Sequence, residues 1–290
     1  MSLVPQVIFN GLIIGGTYAL MAIGLTFLLG FMDLVNQAHG ELYMLGAYFT
    51  YWFIELLGIP HLLGIPMAIA AAFLLGLIIE WVFLRKLWDK DILMRLLMTV
   101  GLMITLPNLI TVLVTAIPRK VSSPVRASPL ILGPLRIAPI QFVIVTVSIL
   151  IIVLFHMFMQ RSKTGKAMRA TFQDKEVASA MGINTKRIYS VTFALGCAMA
   201  AASGSLLSMQ YSVMPSMGGL VSSKSFAVVI LGGLGNFAGA VLGALIIGVA
   251  ESFASTFIST GYKDAIAFII LILILLVKPS GIMGKRGGVE

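Results

Sequence analysis

The chain has 290 residues, of which 59% are hydrophobic and only 11% charged, and its mean hydropathy is +1.04. About a quarter of the residues in a soluble domain are charged, so this composition excludes a soluble globular protein and predicts a single polytopic membrane domain over residues 1–290. The net charge of +9 comes from basic residues in the loops between apolar runs, which is typical of topology-setting charge and not of nucleic-acid binding. Cys197 is the single cysteine, so an internal disulfide is excluded.

Apolar runs that are long enough to cross a bilayer divide the chain. The first, residues 7–31, has no basic segment before it and is interpreted as a retained span, not a signal peptide. Further spans are predicted, in chain order, at residues 42–57, 62–84, 93–117, 140–159, 188–209, 238–257 and 264–277. Residues 226–234 are too short to cross and run into a glycine-rich stretch, which predicts a half-span that turns back within the protein. The predicted fold is therefore all-α and polytopic, with about eight or nine hydrophobic segments.

Small residues recur at four-residue intervals in two of these spans. This spacing places them on one face of a helix and lets a neighbouring backbone approach closely. The predicted packing residues are Gly196, Ala200 and Gly204 in one span and Ala240, Ala244 and Gly248 in the other.

Residues 161–187 form the longest polar break in the chain and the most basic one. Basic loops favour the cytoplasmic side, so this loop and the C-terminus are predicted to be cytoplasmic and the N-terminus external. Alanines at helical spacing, with Gly182 as a stop, predict a short helix in this loop. The helix is either a docking element for a soluble partner or a solvated connector.

Polar residues at membrane depth are costly, so they indicate a cavity or a paired site. The candidates for a translocation path are Asn36, Gln37, His39, Glu41, Tyr43, Ser222 and Ser223. The first four follow span 7–31 and have two interpretations, a broken helix that lines a path or a short polar turn that caps the next span. Glu80, Glu251 and His156 lie alone in apolar surroundings and are each expected to be locally paired or to snorkel.

Signatures of catalysis are absent from the sequence. There is no phosphate-binding G-x-x-x-x-G-K-[ST] loop, and the G-x-G-x-x-A match at residues 233–238 lies between membrane segments, without a sheet. The histidines are scattered, and no spacing indicates a metal site. We expect no enzymatic activity, no catalytic residue, and no cofactor or metal bound by this chain.

Three separated stretches resemble one family of transport proteins. They are TYALMAIGLT at 17–26 followed by VNQAHGEL at 35–42, LGGLGNFAGAVLGA at 231–244, and KPSGIMG at 278–284. Together they resemble LivH-like permeases, the membrane subunits of branched-chain amino-acid ABC importers in the LivH/LivM family. The resemblance implies the transmembrane domain of an ABC importer in the bacterial inner membrane, translocating leucine, isoleucine, valine or related amino acids.

The resemblance also implies a role for the loop at residues 161–187. Importer permeases carry a cytoplasmic E-A-A-x-x-x-G segment that docks into a cleft on the ATPase, and here Glu176, Ala178 and Gly182 keep that spacing while Val177 replaces an alanine. The implied docking residues are Gly165, Arg169, Asp174, Glu176, Ala178, Ala180 and Gly182. The implied partners are a second, LivM-like permease subunit, two ATPase subunits that bind ATP and Mg²⁺, an extracytoplasmic substrate-binding protein and membrane lipid.

Three alternatives remain open, the first within the family that the chain resembles and the other two on the residues alone. Similar permeases are assigned to urea or short amides. An ion-coupled secondary transporter would use Glu80, Glu251 or His39 as carriers, and a passive channel would conduct a small neutral solute.

Overall fold

Helices make up nearly all the regular structure in the computed structural model, which describes residues 3–122, 130–132 and 135–284. The helices are α1 (Val4–Met32), α2 (His39–Tyr51), α3 (His61–Val82), α4 (Ile92–Val114), α5 (Pro139–Arg161), α6 (Lys163–Gln173), α7 (Lys175–Ala180), α8 (Thr185–Ser208), α9 (Met217–Gly232), α10 (Phe237–Phe257) and α11 (Lys263–Val277). A π-helical turn, Trp52–Leu56, extends α2, and 3₁₀ turns follow α3 and precede α11. One antiparallel hairpin pairs β1 (Leu130–Leu132) with β2 (Leu135–Ile137). The predicted all-α fold is confirmed.

Seven helices of the described chain are long and apolar enough to cross a membrane: α1, α3, α4, α5, α8, α10 and α11 with its preceding turn. The prediction of a polytopic membrane protein is therefore confirmed. Helix α2 with its π turn and the 16-residue α9 are shorter apolar segments.

Helix α9 begins at Met217, well before the predicted start of the half-span at residue 226. The serines that gave this stretch a polar appearance do not interrupt the helix. The hydroxyl of Ser223 donates to the carbonyl oxygen of Gly219. The hydroxyl of Ser225 likewise donates to the carbonyl oxygen of Val221. Because these hydroxyls bond to the preceding turn, the helix tolerates them.

The centre of the bundle is formed by α1, α2 and α8. Most of α1 and α8 is buried, whereas most of α4 and α11 is exposed at the periphery. Two ends of the bundle can be distinguished. The loop face carries α6 and α7, and the hairpin face carries β1 and β2 at the other end of α5.

The small residues of α8 lie against α1 and α2. Gly196 faces the side chain of Leu28, Ala200 is fully buried, and a Cβ on Gly204 would collide with the carbonyl oxygen of Tyr43. Close approach of α8 to α2 therefore depends on the absence of a side chain at this position.

The small residues of α10 lie against α1 and α9. A Cβ on Gly248 would collide with the backbone of Gly11 and Gly15, and Ala240 and Ala244 are fully buried. Helices α1 and α10 therefore cross at glycine-to-glycine contacts.

Candidate translocation path and docking surface

The connection between α1 and α2, residues 33–38, is not helical and returns into the bundle. The Nε2 atom of His39, the first residue of α2, donates to the carbonyl oxygen of Met21 over 3.0 Å. Met21 lies about 16 Å from Met32, the end of α1, at about 1.5 Å per residue. Helix α2 therefore begins deep inside the bundle, which is the geometry of a broken helix and not of a turn at the membrane surface.

Side chains of α4 form hydrogen bonds with the backbone of this connection and with the end of α1. The hydroxyl of Thr99 accepts a hydrogen bond from the N–H of Gln37 at 3.3 Å and lies 3.1 Å from the carbonyl oxygen of Val35. The guanidinium of Arg95 donates to the carbonyl oxygen of Met32 at 3.2 Å. Irregular backbone at membrane depth needs such partners because lipid offers none.

The predicted path residues separate into three groups by exposure. Buried side chains belong to Asn36, His39, Glu41, Tyr43 and Ser222, whereas Gln37 is half-buried and Ser223 is exposed. The structure brings Glu41 and Ser222 together, although they lie on α2 and α9. A path lined by Glu41 and Ser222 would require α2 and α9 to separate.

Helices α2 and α9 meet end to end at their N-termini. A Cβ on Gly40 would collide with the carbonyl oxygen of Gly218, and a Cβ on Gly218 would lie 2.6 Å from that of Gly40. Since Gly40 follows His39, this contact lies at the depth of Met21. We call it the α2–α9 junction.

From the junction, α9 runs to the loop face. The turn after α9 brings Gly235 against Gly30, near the end of α1. The segment after α11 holds the end of α9, because the N–H of Ile282 donates to the carbonyl oxygen of Leu231 at 2.7 Å and Met283 bonds to Gly232 at 3.0 Å. Helix α9 thus occupies only the part of the bundle between the junction and the loop face, which is the geometry of a half-span.

A buried ionic cluster joins α9 to three other helices. The Nζ atom of Lys224 lies 2.9 Å from Oε1 of Glu251 in α10 and 2.6 Å from Oδ1 of Asp264 in α11. It also donates to the hydroxyl oxygen of Tyr18 in α1 at 3.1 Å, and that hydroxyl in turn donates to Oε2 of Glu251 at 3.0 Å. The side chains of Lys224 and Glu251 are 6% and 3% exposed, so water does not screen the pair.

Lys224 was not among the residues predicted from the sequence. The usable signal was a lysine within an apolar stretch, with single carboxylates in the two spans that follow. A cation at membrane depth needs an anionic partner, and Glu251 and Asp264 are the two carboxylates that α10 and the start of α11 offer.

The other isolated polar groups have local partners. The carboxylate of Glu80 accepts hydrogen bonds from Nε1 of Trp88 at 2.8 Å and from the hydroxyl of Ser190. The ring of His156 packs against that of Phe237, with centroids 5.1 Å apart. Neither group lies at the junction.

The loop at residues 161–187 folds into two helices, not the single short helix that was predicted. Asp174 has extended backbone, with φ −159°, and its carboxylate accepts from the N–H groups of Glu176 and Val177 at 2.9 Å. This cap ends α6 and begins α7. At the other end of α7, Gly182 has φ +83°, a left-handed conformation that favours glycine.

Helix α6 anchors the loop to α5. Gly165 packs against the carbonyl oxygens of Phe158 and Met159, where a Cβ would collide. The guanidinium of Arg169 donates to the carbonyl oxygen of Met159 at 2.6 Å and to Oε1 of Gln160 at 3.0 Å. A cation on the exposed carbonyl groups at the end of α5 stabilises that helix.

Helix α7 presents an outward surface above a buried Ala178. Val177 and Met181 are 59% and 79% exposed, and Glu176 and Ala180 are exposed beside them. An adjoining cavity of about 420 Å³ is lined by Lys175, Glu176, Ser179, Ala180 and Thr185. We call the exposed residues Glu176, Val177, Ala180 and Met181 the α7 surface. Of the predicted docking residues, Glu176 and Ala180 lie on it, and the other five shape the loop.

Several contacts fix α7 to the rest of the loop face. The ammonium of Lys175 lies 3.9 Å from the carboxylate of Asp89 and 5.5 Å from the ring centre of Tyr189, which packs on Trp88. These contacts place the first residue of α7 beside Asp89, which follows α3, and beside Tyr189 of α8.

A bundle of membrane helices with a broken helix and a half-span at its centre, and an ordered loop at one face, defines a membrane permease. Residues 7–275 match the family described as the branched-chain amino acid transport system permease component. The chain belongs to this family.

Named relatives cover nearly the whole chain. It is 37% identical to the high-affinity branched-chain amino acid transport system permease protein BraD of Pseudomonas aeruginosa, over 97% of this chain and 95% of that protein. It is 38% identical to the permease protein LivH of Salmonella typhimurium, with the same coverage. Among solved structures, PsaBC from Streptococcus pneumoniae in complex with Fab has the same fold, with a TM-score of 0.52, 12% identity, and coverage of 93% of this chain and 91% of that chain.

Within the described residues, no group of three or more His, Cys, Asp or Glu side chains is placed to hold a metal ion.

Proposed function

We propose that this protein is the permease subunit of an ATP-driven importer that moves branched-chain amino acids across the bacterial inner membrane. The observation that carries the proposal is the α7 surface, an ordered, partly apolar surface on a loop that is anchored to the membrane helices. Family membership supports the same function, because two relatives carry the names of branched-chain amino acid permeases.

The basic loop supports an orientation with the loop face in the cytoplasm. Residues 161–187 are the densest basic segment between spans, and cytoplasmic loops carry the excess of lysine and arginine. Residues 282–283, after α11, pack at the same face, which supports a cytoplasmic C-terminus and an external N-terminus.

Membership in a family described as the permease component of a transport system supports the partners. Two ATPase subunits would bind ATP and Mg²⁺ and dock on the α7 surface. A second, related permease subunit would complete the translocation path, and an extracytoplasmic binding protein would deliver the amino acid. This chain binds no cofactor in this scheme.

The test is ATP-dependent uptake of leucine into proteoliposomes by the assembled complex, comparing Gly182→Val with Gly58→Val. Both glycines have positive φ, +83° and +66°, with open space around them. Each valine imposes a similar backbone strain of roughly 1–2 kcal/mol, but Gly58 lies before α3, away from the loop. We expect Gly182→Val to abolish uptake and to release the ATPase subunits on size-exclusion chromatography, while Gly58→Val keeps both.

Two outcomes would contradict the proposal. Uptake that survives Gly182→Val unchanged would show that α7 does not dock the ATPase. Uptake by this chain without any ATPase, driven by an ion gradient, would favour a secondary transporter instead. The local pairing of Glu80, Glu251 and His39 argues against their acting as ion carriers.

A further inference from the structure

The α2–α9 junction contains two buried polar side chains whose atoms lack partners. Glu41 is 4% exposed and Ser222 is 7% exposed. In the described part of the chain, no hydrogen-bond partner reaches Oε2 of Glu41 or Oγ of Ser222. Leaving a buried carboxylate without a partner is costly, so this pair of side chains is suited to a ligand that donates hydrogen bonds.

Both side chains point into the contact between the two helices. The Oε2 atom of Glu41 lies 2.8 Å from the position that a Cβ on Gly218 would occupy. The Cβ atom of Ser222 lies 2.7 Å from the position that a Cβ on Gly40 would occupy. Glu41 belongs to the first turn of α2, where the helix dipole favours a negative charge. The carboxylate is thus held between the N-termini of two helices.

The first turn of α9 has the opposite character. The first N–H groups of a helix lack partners within the helix, and here α9 begins at Met217. For the described residues, no backbone acceptor outside the helix pairs with the N–H of Gly218 or Gly219. Beyond the backbone of the helix itself, no atom lies within 4 Å of a Cβ built on Gly219, which is exposed.

We propose that the junction binds the head group of an α-amino acid. The ammonium group would donate to the carboxylate of Glu41 and to Ser222, and the carboxylate would accept from the N–H groups of Gly218 and Gly219. Helix N-termini bind carboxylates in this way at breaks in membrane helices.

The contact between Gly40 and Gly218 closes this site in the present structure. Opening requires the first turn of α9 to move away from α2, while the ionic cluster at Lys224 holds the rest of the half-span to α10 and α11. Binding would then be linked to separation of the two helices. The choice of an α-amino acid as ligand rests on the proposed function, whereas the need for a hydrogen-bond donor at Glu41 does not.

The test is direct binding of radiolabelled amino acids to the purified permease–ATPase complex in detergent, without the binding protein. The probes are leucine, valine and the other common α-amino acids, with isoamylamine and 4-methylpentanoate as competitors that lack the carboxylate and the ammonium respectively. We expect leucine binding that neither competitor displaces at equal concentration. Glu41→Gln should weaken binding by about tenfold or more, since it removes the charge and keeps the shape.

The matched control is Glu80→Gln, a buried carboxylate at the loop-face end of α3 that has its own partners. It should bind leucine like the wild type. Size-exclusion profiles of both variants show whether the complex is intact, and Ser222→Ala gives a second, milder perturbation that should weaken binding by about fivefold.

The outcomes separate this proposal from the proposed function. Equal leucine affinity in wild type and Glu41→Gln would overturn the junction site, as would a wild-type complex that binds no amino acid at all. If the wild type binds a different α-amino acid and Glu41→Gln weakens that binding, the junction site stands and the branched-chain cargo is wrong.

Discussion

Replacing Lys224 by methionine removes the cation that faces Glu251, Asp264 and Tyr18. The ammonium lies 2.9 Å and 2.6 Å from the two carboxylates, and its loss leaves both anions near each other in the bundle. Removing one partner of a buried ion pair costs about 3–5 kcal/mol. The side chain of Asp264 is 34% exposed and can be partly solvated. We therefore expect Lys224→Met to lower the free energy of unfolding by the lower end of this range, about 3 kcal/mol.

The assay is equilibrium unfolding of the purified protein in mixed micelles, followed by tryptophan fluorescence. The matched control is Lys166→Met on α6, an exposed lysine that should change the free energy of unfolding by less than about 0.5 kcal/mol. The double variant Lys224→Met/Glu251→Gln removes one of the two stranded charges and should recover roughly half of the loss, about 1.5 kcal/mol.

Two results would refute this reasoning. If Lys224→Met and Lys166→Met had the same free energy of unfolding, the cluster would not stabilise the bundle. If Glu251→Gln and Lys224→Met were strictly additive, the two side chains would not interact. Helix α9 would then be held mainly by its backbone contacts.

Two further predictions concern backbone contacts at the centre of the bundle. Gly46→Leu should abolish the recovery of monodisperse protein, because any side chain there meets the backbone of Ala201, whereas Gly101→Leu on the open face of α4 should be recovered like the wild type by size-exclusion chromatography. Thr99→Ala should cost about 1 kcal/mol in the same unfolding assay, because the N–H of Gln37 loses its acceptor; Thr99→Ser should be neutral, and an equal loss in both would show that the hydroxyl is irrelevant.

Hydropathy was sufficient to predict the long spans, because a membrane segment must be apolar over its whole length and the pattern is local. The start of α9 was predicted too late for a reason that is also local. Ser222 and Ser223 look polar in sequence, but a serine in a helix can bond to the preceding turn, as Ser223 does to Gly219. Hydropathy scales assign the same value to a serine whether or not it makes this bond.

The α2–α9 junction could not be predicted from the sequence. Gly40 and Gly218 are far apart in the chain, and nothing in either local pattern identifies the other as its partner. The residues around Glu41 were therefore compatible with a surface turn or with a broken helix. Lys224 differs in this respect, because a lysine in an apolar stretch is itself a signal, although its three partners come from three different helices.

A packed route connects the α7 surface with the α2–α9 junction. Helix α6 directly precedes α7 in the chain. Its Phe172 packs on Phe31 of α1, with ring centroids 4.9 Å apart. Cζ of the same ring lies 3.9 Å from the position that a Cβ on Gly235 would occupy, and Gly235 follows the end of α9, whose first turn contains Gly218. Packed elements with discrete arrangements transmit displacement between distant sites. A partner that moves α7 would therefore act on the end of α1, through Phe31, and on the end of α9, through Gly235.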